Sequence, residues 1–130
     1  MCFDAIKVTF KVAKRNKTYY KVLQIKKDGK LYPPYRDDYP VFLDQINYPL
    51  SDTPDISVDD KSFSFFTVEI RGGFLHLCRR WTRAMALRSS LQGQDTKNKY
   101  IVVKAIIPRG ALYAKNSIDV ITNKVIYKRM

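Results

Sequence analysis

The chain has 130 residues, of which 45% are hydrophobic and 28% charged, and this suffices for a single domain with its own buried core. Its 24 Lys and Arg against 12 Asp and Glu give a net charge of +12, which predicts attraction to polyanions. Two cysteines and one histidine are too few for a four-ligand zinc site, no apolar run approaches the roughly 20 residues of a membrane span, and the N-terminus lacks a secretory pattern. We therefore expect one intracellular domain over residues 1–130, with no metal, no cofactor and no membrane partner.

Residues 1–30 carry nine bases and two acids, and their pattern predicts a series of antiparallel strands. Apolar and polar residues alternate over residues 6–12, which is the period of a strand with one buried face. A second strand is predicted over residues 18–26, where Tyr20 and Val22 share a face. Asp28 and Gly29 then favour a tight hairpin turn, because both residue types tolerate a positive φ.

Residues 31–70 reverse the charge, with two bases and eight acids. Five prolines break residues 31–62, so we expect an acidic, irregular segment there with one helical turn near residues 41–44. Its aromatic side chains favour packing on the body of the domain, because disordered segments are poor in aromatics; a mobile acidic loop is the alternative. A strand is predicted over residues 63–70, ended by Gly72 and Gly73.

A helix is predicted over residues 74–92, closed by Gly93. On a helical wheel its buried face consists of Phe74, Leu77, Cys78, Trp81, Ala84 and Met85. The opposite side carries His76, Arg79, Arg80 and Arg83. No acid lies between Gly72 and Gln94 to pair with this basic stripe, which favours contact with an anion; a solvated basic face is the alternative.

The remaining chain is again basic, with thirteen bases and two acids over residues 71–130. A near-continuous apolar run over residues 100–107, broken by Lys104, predicts a central strand. Residues 108–110 (Pro-Arg-Gly) predict a turn. Further strands are predicted over residues 111–113 and 118–127, the latter split near residues 122–123, and the C-terminus is basic at Lys128 and Arg129.

Several short motifs carry a resemblance to a known group of proteins. They are Tyr-Lys-Val-Leu at residues 20–23, Pro-Pro-Tyr at 33–35, Gly-Phe-Leu-His at 73–76 and Ile-Pro-Arg-Gly-Ala-Leu-Tyr at 107–113. Together they resemble a family of small uncharacterised proteins from phages and gut Bacteroidales. Pro33 departs from the Ser of that pattern, Leu75 interrupts its Gly-Phe-His, and Ala114 replaces its second Tyr. The resemblance implies a phage origin, hence the cytoplasm of an infected bacterium, and little chemistry.

The order of strand, helix, apolar strand, Pro-x-Gly turn and terminal strand is also similar to the ADP-ribosyltransferase-like fold. That resemblance implies a catalytic glutamate on the strand after the turn. Glu69 is the only glutamate of the chain, however, and it precedes the predicted helix. The characteristic Ser-Thr-Ser element is missing as well. The resemblance therefore implies a non-catalytic version that keeps a nucleotide-shaped groove.

No catalytic arrangement is evident in the sequence. Cys78 and His76 would diverge on the predicted helix, with Cys78 in the core. We therefore expect an α+β domain with a mixed or antiparallel sheet of about five or six strands and one main amphipathic helix. Its expected role is that of a non-enzymatic, phage-type binding protein in host takeover or counter-defence.

The expected ligand is a polyanion or a phosphorylated molecule, and nucleic acid is one candidate, since tyrosines and phenylalanines interleave with the bases. The alternatives are a nucleotide-handling enzyme of ADP-ribosyltransferase-like fold and an inhibitor that docks on an acidic host protein. The expected ligand-binding residues are Lys21, Arg71, His76, Arg79, Arg80, Arg83 and Arg109.

Overall fold

A computed structural model describes residues 7–34, 40–48, 55–58, 65–72, 75–115 and 118–130, with side chains described over 10–34, 40–48, 75–115 and 118–130. The described chain is α+β, with eleven strands and one helix. The strands are β1 (Lys7–Val12), β2 (Lys17–Ile25), β3 (Leu31–Tyr32), β4 (Ile46–Asn47), β5 (Asp55–Val58), β6 (Phe65–Gly72), β7 (Leu75–Cys78), β8 (Lys99–Ile107), β9 (Leu112–Lys115), β10 (Asp119–Thr122) and β11 (Val125–Arg129). The helix is α1 (Trp81–Gln94).

All eleven strands join one sheet in the order β4-β11-β8-β2-β7-β10-β9-β1-β6-β5, and β3 pairs with β2 beside this path. Every pair of neighbouring strands is antiparallel. The expected α+β class is confirmed, whereas the expected count of five or six strands is too low. The excess comes from short strands such as β3 and β4, whose two residues carry no readable alternation and are held by their neighbours.

β8 is an interior strand of the sheet, paired on both sides, as its apolar run predicts. It pairs with β2 over nine positions, from Lys17 opposite Ile107 to Ile25 opposite Lys99, and with β11 on its other side. Alternate residues of β8, among them Val103 and Ala105, are fully buried. They belong to the main core, which also contains Tyr19 and Leu23 of β2 and takes further members from β7, β9, β10 and β11. One face of the sheet therefore carries the main core.

The opposite face of the sheet carries α1 and a smaller core. Val22 of β2, Tyr100 of β8 and Cys78 of β7 pack there against Ala84 of the helix. Leu87 and Leu91, one and two turns further along, pack against the same cluster. We call this side the helix face; it receives the even-numbered residues of β2 and β8, because side chains alternate along a strand.

The helix is shorter than expected, and its first predicted turn is a strand. Residues 75–78 form β7, paired with β10, and α1 begins only at Trp81. The apolar spacing of this region fits both periods, since Leu75 and Leu77 alternate as in a strand and are buried. Pairing with β10 makes these residues a strand and not a helix. A local sequence pattern does not contain this long-range information. Gly93 lies inside α1 rather than beyond its end.

Trp81 is 45% exposed, so its predicted burial is wrong. The predicted basic stripe also fails, because His76 lies on β7, Arg79 and Arg80 follow that strand, and only Arg83 lies in α1. The buried side of α1 is instead the narrow strip of Ala84, Leu87 and Leu91.

Both predicted turns are confirmed. Gly29 (φ +79) lies in the β2–β3 hairpin, where its N–H donates to the carbonyl of Lys26. Gly110 (φ +90) lies in the turn between β8 and β9, closed by the bond from the Ala111 N–H to the Pro108 carbonyl. Glycine suits both positions because a Cβ strains a backbone with positive φ.

The predicted helical turn near residues 41–44 is wrong. Val41 and Leu43 form isolated bridges to Leu31 and Tyr127, so this stretch is extended. The buried side chain of Asn47 fixes it: the Phe42 N–H donates to Asn47 Oδ1, and Asn47 Nδ2 donates to the Phe42 carbonyl, both at 2.9 Å. Within the predicted irregular segment over residues 31–62, the structure describes residues 31–34, 40–48 and 55–58, which contain β3, β4 and β5. The other residues of that segment lie outside the described residues.

Candidate functional site

The structure brings some of the seven expected ligand-binding residues together and separates others. Lys21, His76, Arg79, Arg80 and Arg83 all lie where β2 meets β7 and α1 begins. Arg71 lies on β6, which is four strands away from β7 in the sheet order. Arg109 lies in the β8–β9 turn, where its N–H donates to Asn16 Oδ1 at 3.0 Å. These seven residues therefore do not form a single surface.

The junction of β2 and β7 is short, since only Tyr20 and Cys78 pair across it. Beyond this pair the half-buried Lys21 bridges the two strands, and its Nζ donates to the carbonyl of His76 at 2.7 Å. The Lys21 ammonium thus satisfies a backbone carbonyl at the point where strand pairing stops. This hydrogen bond gives Lys21 a structural role at the junction.

Cys78 lies in the core, as the sequence predicts, but it lies on a strand and not on a helix. Because residues 75–78 form a strand, His76 and Cys78 point to the same face instead of diverging. Asp119 of β10 lies directly opposite Cys78.

Burial raises the pKa of the Cys78 thiol, and the carboxylate of Asp119 raises it further, while Lys21 and Arg83 oppose the shift. A thiol with a raised pKa is protonated near neutral pH and is a weak nucleophile. This argues against thiolate catalysis at the junction.

Arg79 lies beside a pair of buried tyrosines. Burial raises the pKa of the Tyr19 hydroxyl, Tyr113 adds to the effect, and the Arg79 guanidinium opposes it. Lys17 Nζ lies 5.4 Å from the centre of the Tyr113 ring, which is a cation–π distance. Lys17 and Arg79 therefore both interact with buried tyrosines of the main core.

A second basic surface lies on the helix face of the sheet, beyond the part that α1 covers. Lys128 of β11 lies directly opposite Lys104 of β8, and Lys104 lies directly opposite Tyr20 of β2. We call these three residues the lysine row. Both lysines are exposed and Tyr20 is half-buried.

The lysine row shares its face with α1 because Lys104 follows Val102 by two residues and Val102 packs against the helix cluster. The next row outward is mainly apolar and consists of Thr18, Ile106, Ile126 and Ile46. We call it the isoleucine row. Ile46 is exposed, and Ile106 and Ile126 are half-buried. The uncovered part of the helix face therefore presents a basic row beside an apolar row.

The four elements that carry this surface contain no acid, whereas Asp119 of β10 lies in the same cross-strand row, opposite Cys78. The sequences of β2, β8, β11 and α1 each carry two bases and not one Asp or Glu. Nothing on these four elements offsets the charge of the lysine row. The local field is therefore positive, in keeping with the net charge of the chain.

Trp81 begins α1 three residues after Cys78, which pairs with Tyr20 of the lysine row. It precedes Ala84 by three residues, so it lies on the side of α1 that faces the sheet, one turn before the buried Ala84. Helical side chains lean toward the helix N-terminus, so the Trp81 side chain projects away from the strip formed by Ala84, Leu87 and Leu91. With an exposed fraction of 45%, a large part of Trp81 is open to solvent.

Sequence reasoning missed Lys104, Lys128, Tyr20 and Trp81 as a group. A signal was present in the charged residue that interrupts the apolar run of β8, since a lysine in a central strand marks a face that is not covered. The partners of Lys104 could not be read from the sequence, because they depend on the register of β8 with β2 and β11.

Comparison with known proteins gives no guide to the function: no family model, no curated protein and no solved structure matches this chain. Across the described ranges, no helix has the length and apolar character needed to cross a membrane. In the same ranges, no three His, Cys, Asp or Glu side chains cluster as ligands of a metal ion would.

Proposed function

We propose that this protein is a non-enzymatic binding protein that recognises a polyanion on the uncovered half of its helix face. The observation that carries the proposal is the pairing of Lys104 with Lys128. Like charges directly opposite each other on neighbouring strands destabilise a sheet. A bound phosphate between the two ammonium groups converts this repulsion into attraction.

The surroundings of the pair support the same role. The four adjoining elements carry no acid, so an anion there meets no repulsion from them. Burial raises the pKa of the Cys78 thiol, which argues against thiol chemistry at the neighbouring junction. Because the sequence resembles a family of phage and gut Bacteroidales proteins, we propose that this binding serves host takeover or counter-defence.

The test compares two double variants of equal charge. Lys104→Gln/Lys128→Gln removes the lysine row, while Lys27→Gln/Lys97→Gln removes two exposed lysines at the other ends of β2 and β8. Binding of a labelled oligothymidylate is measured by fluorescence anisotropy at about 50 mM and about 200 mM salt.

The first variant is expected to bind more weakly and to lower the slope of log affinity against log salt by about 1.4, since each phosphate contact contributes about 0.7 on single strands. The control variant is expected to retain most of the affinity. Free Lys104→Gln/Lys128→Gln should unfold at the same or a higher temperature than the wild type, because the repulsion between the two strands is removed. Equal losses in the two variants would reduce the proposal to nonspecific attraction by net charge, and unchanged binding of the first variant would refute it.

A further inference from the structure

We infer that the polyanion is a single-stranded nucleic acid and that the indole of Trp81 stacks on one of its bases. This inference rests on the proposed function and names its ligand class. It starts from the one large aromatic side chain that the described part of the helix face leaves open beside the lysine row.

Trp81 presents a large apolar ring that is not buried. The residue lies on the sheet-facing side of α1, where Ala84 is fully buried, yet 45% of Trp81 is exposed. Leaving a large apolar ring in water forgoes the stabilisation that burial of an aromatic side chain provides. An exposed aromatic ring can receive a flat π system, and a nucleic-acid base offers one.

The lysine row begins on the strand next to β7, close to the start of α1. The lysine row starts at Tyr20, which pairs with Cys78, and Cys78 precedes Trp81 by three residues. Lys104 and Lys128 continue the row across two further strands, or about 10 Å at the usual strand spacing. Aromatic rings at one end of a basic row match a strand whose phosphates follow the lysines while its bases stack.

Duplex DNA and acidic proteins fit this surface less well. A duplex keeps its bases stacked inside, so it offers phosphates to the lysines but no free base face to Trp81. An acidic peptide supplies carboxylates but no aromatic plane. Only a single strand uses both the lysine row and the open indole.

Trp81 is the only tryptophan of the chain, so its fluorescence reports directly on this contact. The experiment titrates the full-length wild type, Trp81→Ala and Trp81→Phe with four probes in low-salt buffer. The probes are a labelled oligothymidylate, an abasic oligonucleotide of the same length, a duplex of that length, and polyglutamate. All four probes carry a fluorescent label, and their affinities for the three proteins are measured by anisotropy. Quenching of Trp81 is followed in the wild type alone, because the two variants contain no tryptophan.

The expected result is tightest binding of the oligothymidylate, with quenching of Trp81, and weaker binding of the abasic strand without quenching. Trp81→Ala is expected to bind the oligothymidylate about 5- to 150-fold more weakly, the range for loss of one stacked base. Trp81→Phe keeps an aromatic ring and should retain most of the affinity. The abasic strand should bind the wild type and Trp81→Ala equally. Thermal unfolding of both variants checks that the fold is kept. If Trp81→Ala does not fold, the comparison of the normal and abasic strands on the wild type carries the test.

Three sets of results overturn the inference and remain distinguishable. Equal binding of the normal and abasic strands without quenching, or tighter binding of the duplex, would refute base stacking and leave the polyanion proposal intact. Binding of polyglutamate alone would make an acidic protein the partner and refute the nucleic-acid assignment. Loss of every interaction, including that with the abasic strand, would refute the proposed function itself.

Discussion

At the scale of single residues, Asp95 shows how one carboxylate closes the end of α1. Its Oδ1 accepts from the N–H of Lys97 at 2.9 Å and of Asn98 at 3.2 Å, and its Oδ2 accepts from the Tyr100 hydroxyl at 2.9 Å and from Asn98 Nδ2 at 3.1 Å. The backbone bond from Lys97, followed by the Tyr100 and Asn98 side chains, lowers the pKa of Asp95 from 3.8 to about 2. The ionised carboxylate therefore ties the helix end to β8.

The lowered pKa of Asp95 makes its contribution depend on pH. Since the pKa is lower in the folded than in the unfolded chain, the stabilisation is present above about pH 4 and is lost as pH falls toward about 2. We expect Asp95→Asn to unfold at a lower temperature than the wild type at pH 7 and to approach it through this acid range. Asp44→Asn removes a carboxylate elsewhere and serves as the control in thermal melts. A gap that stays constant with pH would contradict the assignment.

At the scale of elements, the fit of α1 on the sheet depends on one small residue. Ala84 is fully buried between the helix and the side chains of Val22, Cys78 and Tyr100. Arg88 Nε donates to the Tyr100 carbonyl at 2.9 Å, and the Tyr100 N–H donates to Gln92 Oε1 at 2.9 Å, so polar bonds to β8 also hold the helix in place. Because the apolar strip of α1 is narrow, the packing of the small Ala84 side chain against the sheet sets the position of the helix.

Two alanines of α1 provide a matched test of this packing. Ala84→Leu forces a larger side chain into a filled site and is expected to lower the free energy of unfolding by about 1–3 kcal/mol. Ala86→Leu makes the same chemical change at an exposed position and is expected to be nearly neutral. Urea unfolding followed by circular dichroism measures both. Equal effects would show that α1 does not pack through Ala84.

At the scale of the whole molecule, the charge of +12 opposes folding and favours binding. Salt therefore acts in opposite directions on the two processes. It weakens repulsion within the folded chain, and it also weakens attraction to a bound polyanion. The two effects can be separated, because unfolding is measured without ligand.

We expect the free protein to unfold at a higher temperature as NaCl is raised from about 10 mM to about 150 mM, over which the screening length falls from about 30 Å to about 8 Å. Lys104→Gln/Lys128→Gln should show a smaller rise, because two of the repelling charges are gone. Differential scanning fluorimetry at matched pH provides the measurement. A melting temperature that falls with salt would mean that attractive ion pairs outweigh the net repulsion.

The sequence by itself determined much of the local structure. The apolar run of β8, the turns at Gly29 and Gly110 and the split between β10 and β11 all follow from alternation and turn chemistry that a few adjacent residues encode. The burial of Cys78 was also predicted, although for a helix rather than for a strand. Net charge was equally readable, because it needs no coordinates.

Only the tertiary structure decided which residues meet. Pairing of β7 with β10 made a strand of residues 75–78, moved the helix start to Trp81 and divided the expected basic stripe. The register of β8 with β2 and β11 aligned Tyr20, Lys104 and Lys128, which are up to 108 positions apart in the chain. Contacts at such separations are set by long-range pairing and burial, and a local pattern carries no information about them.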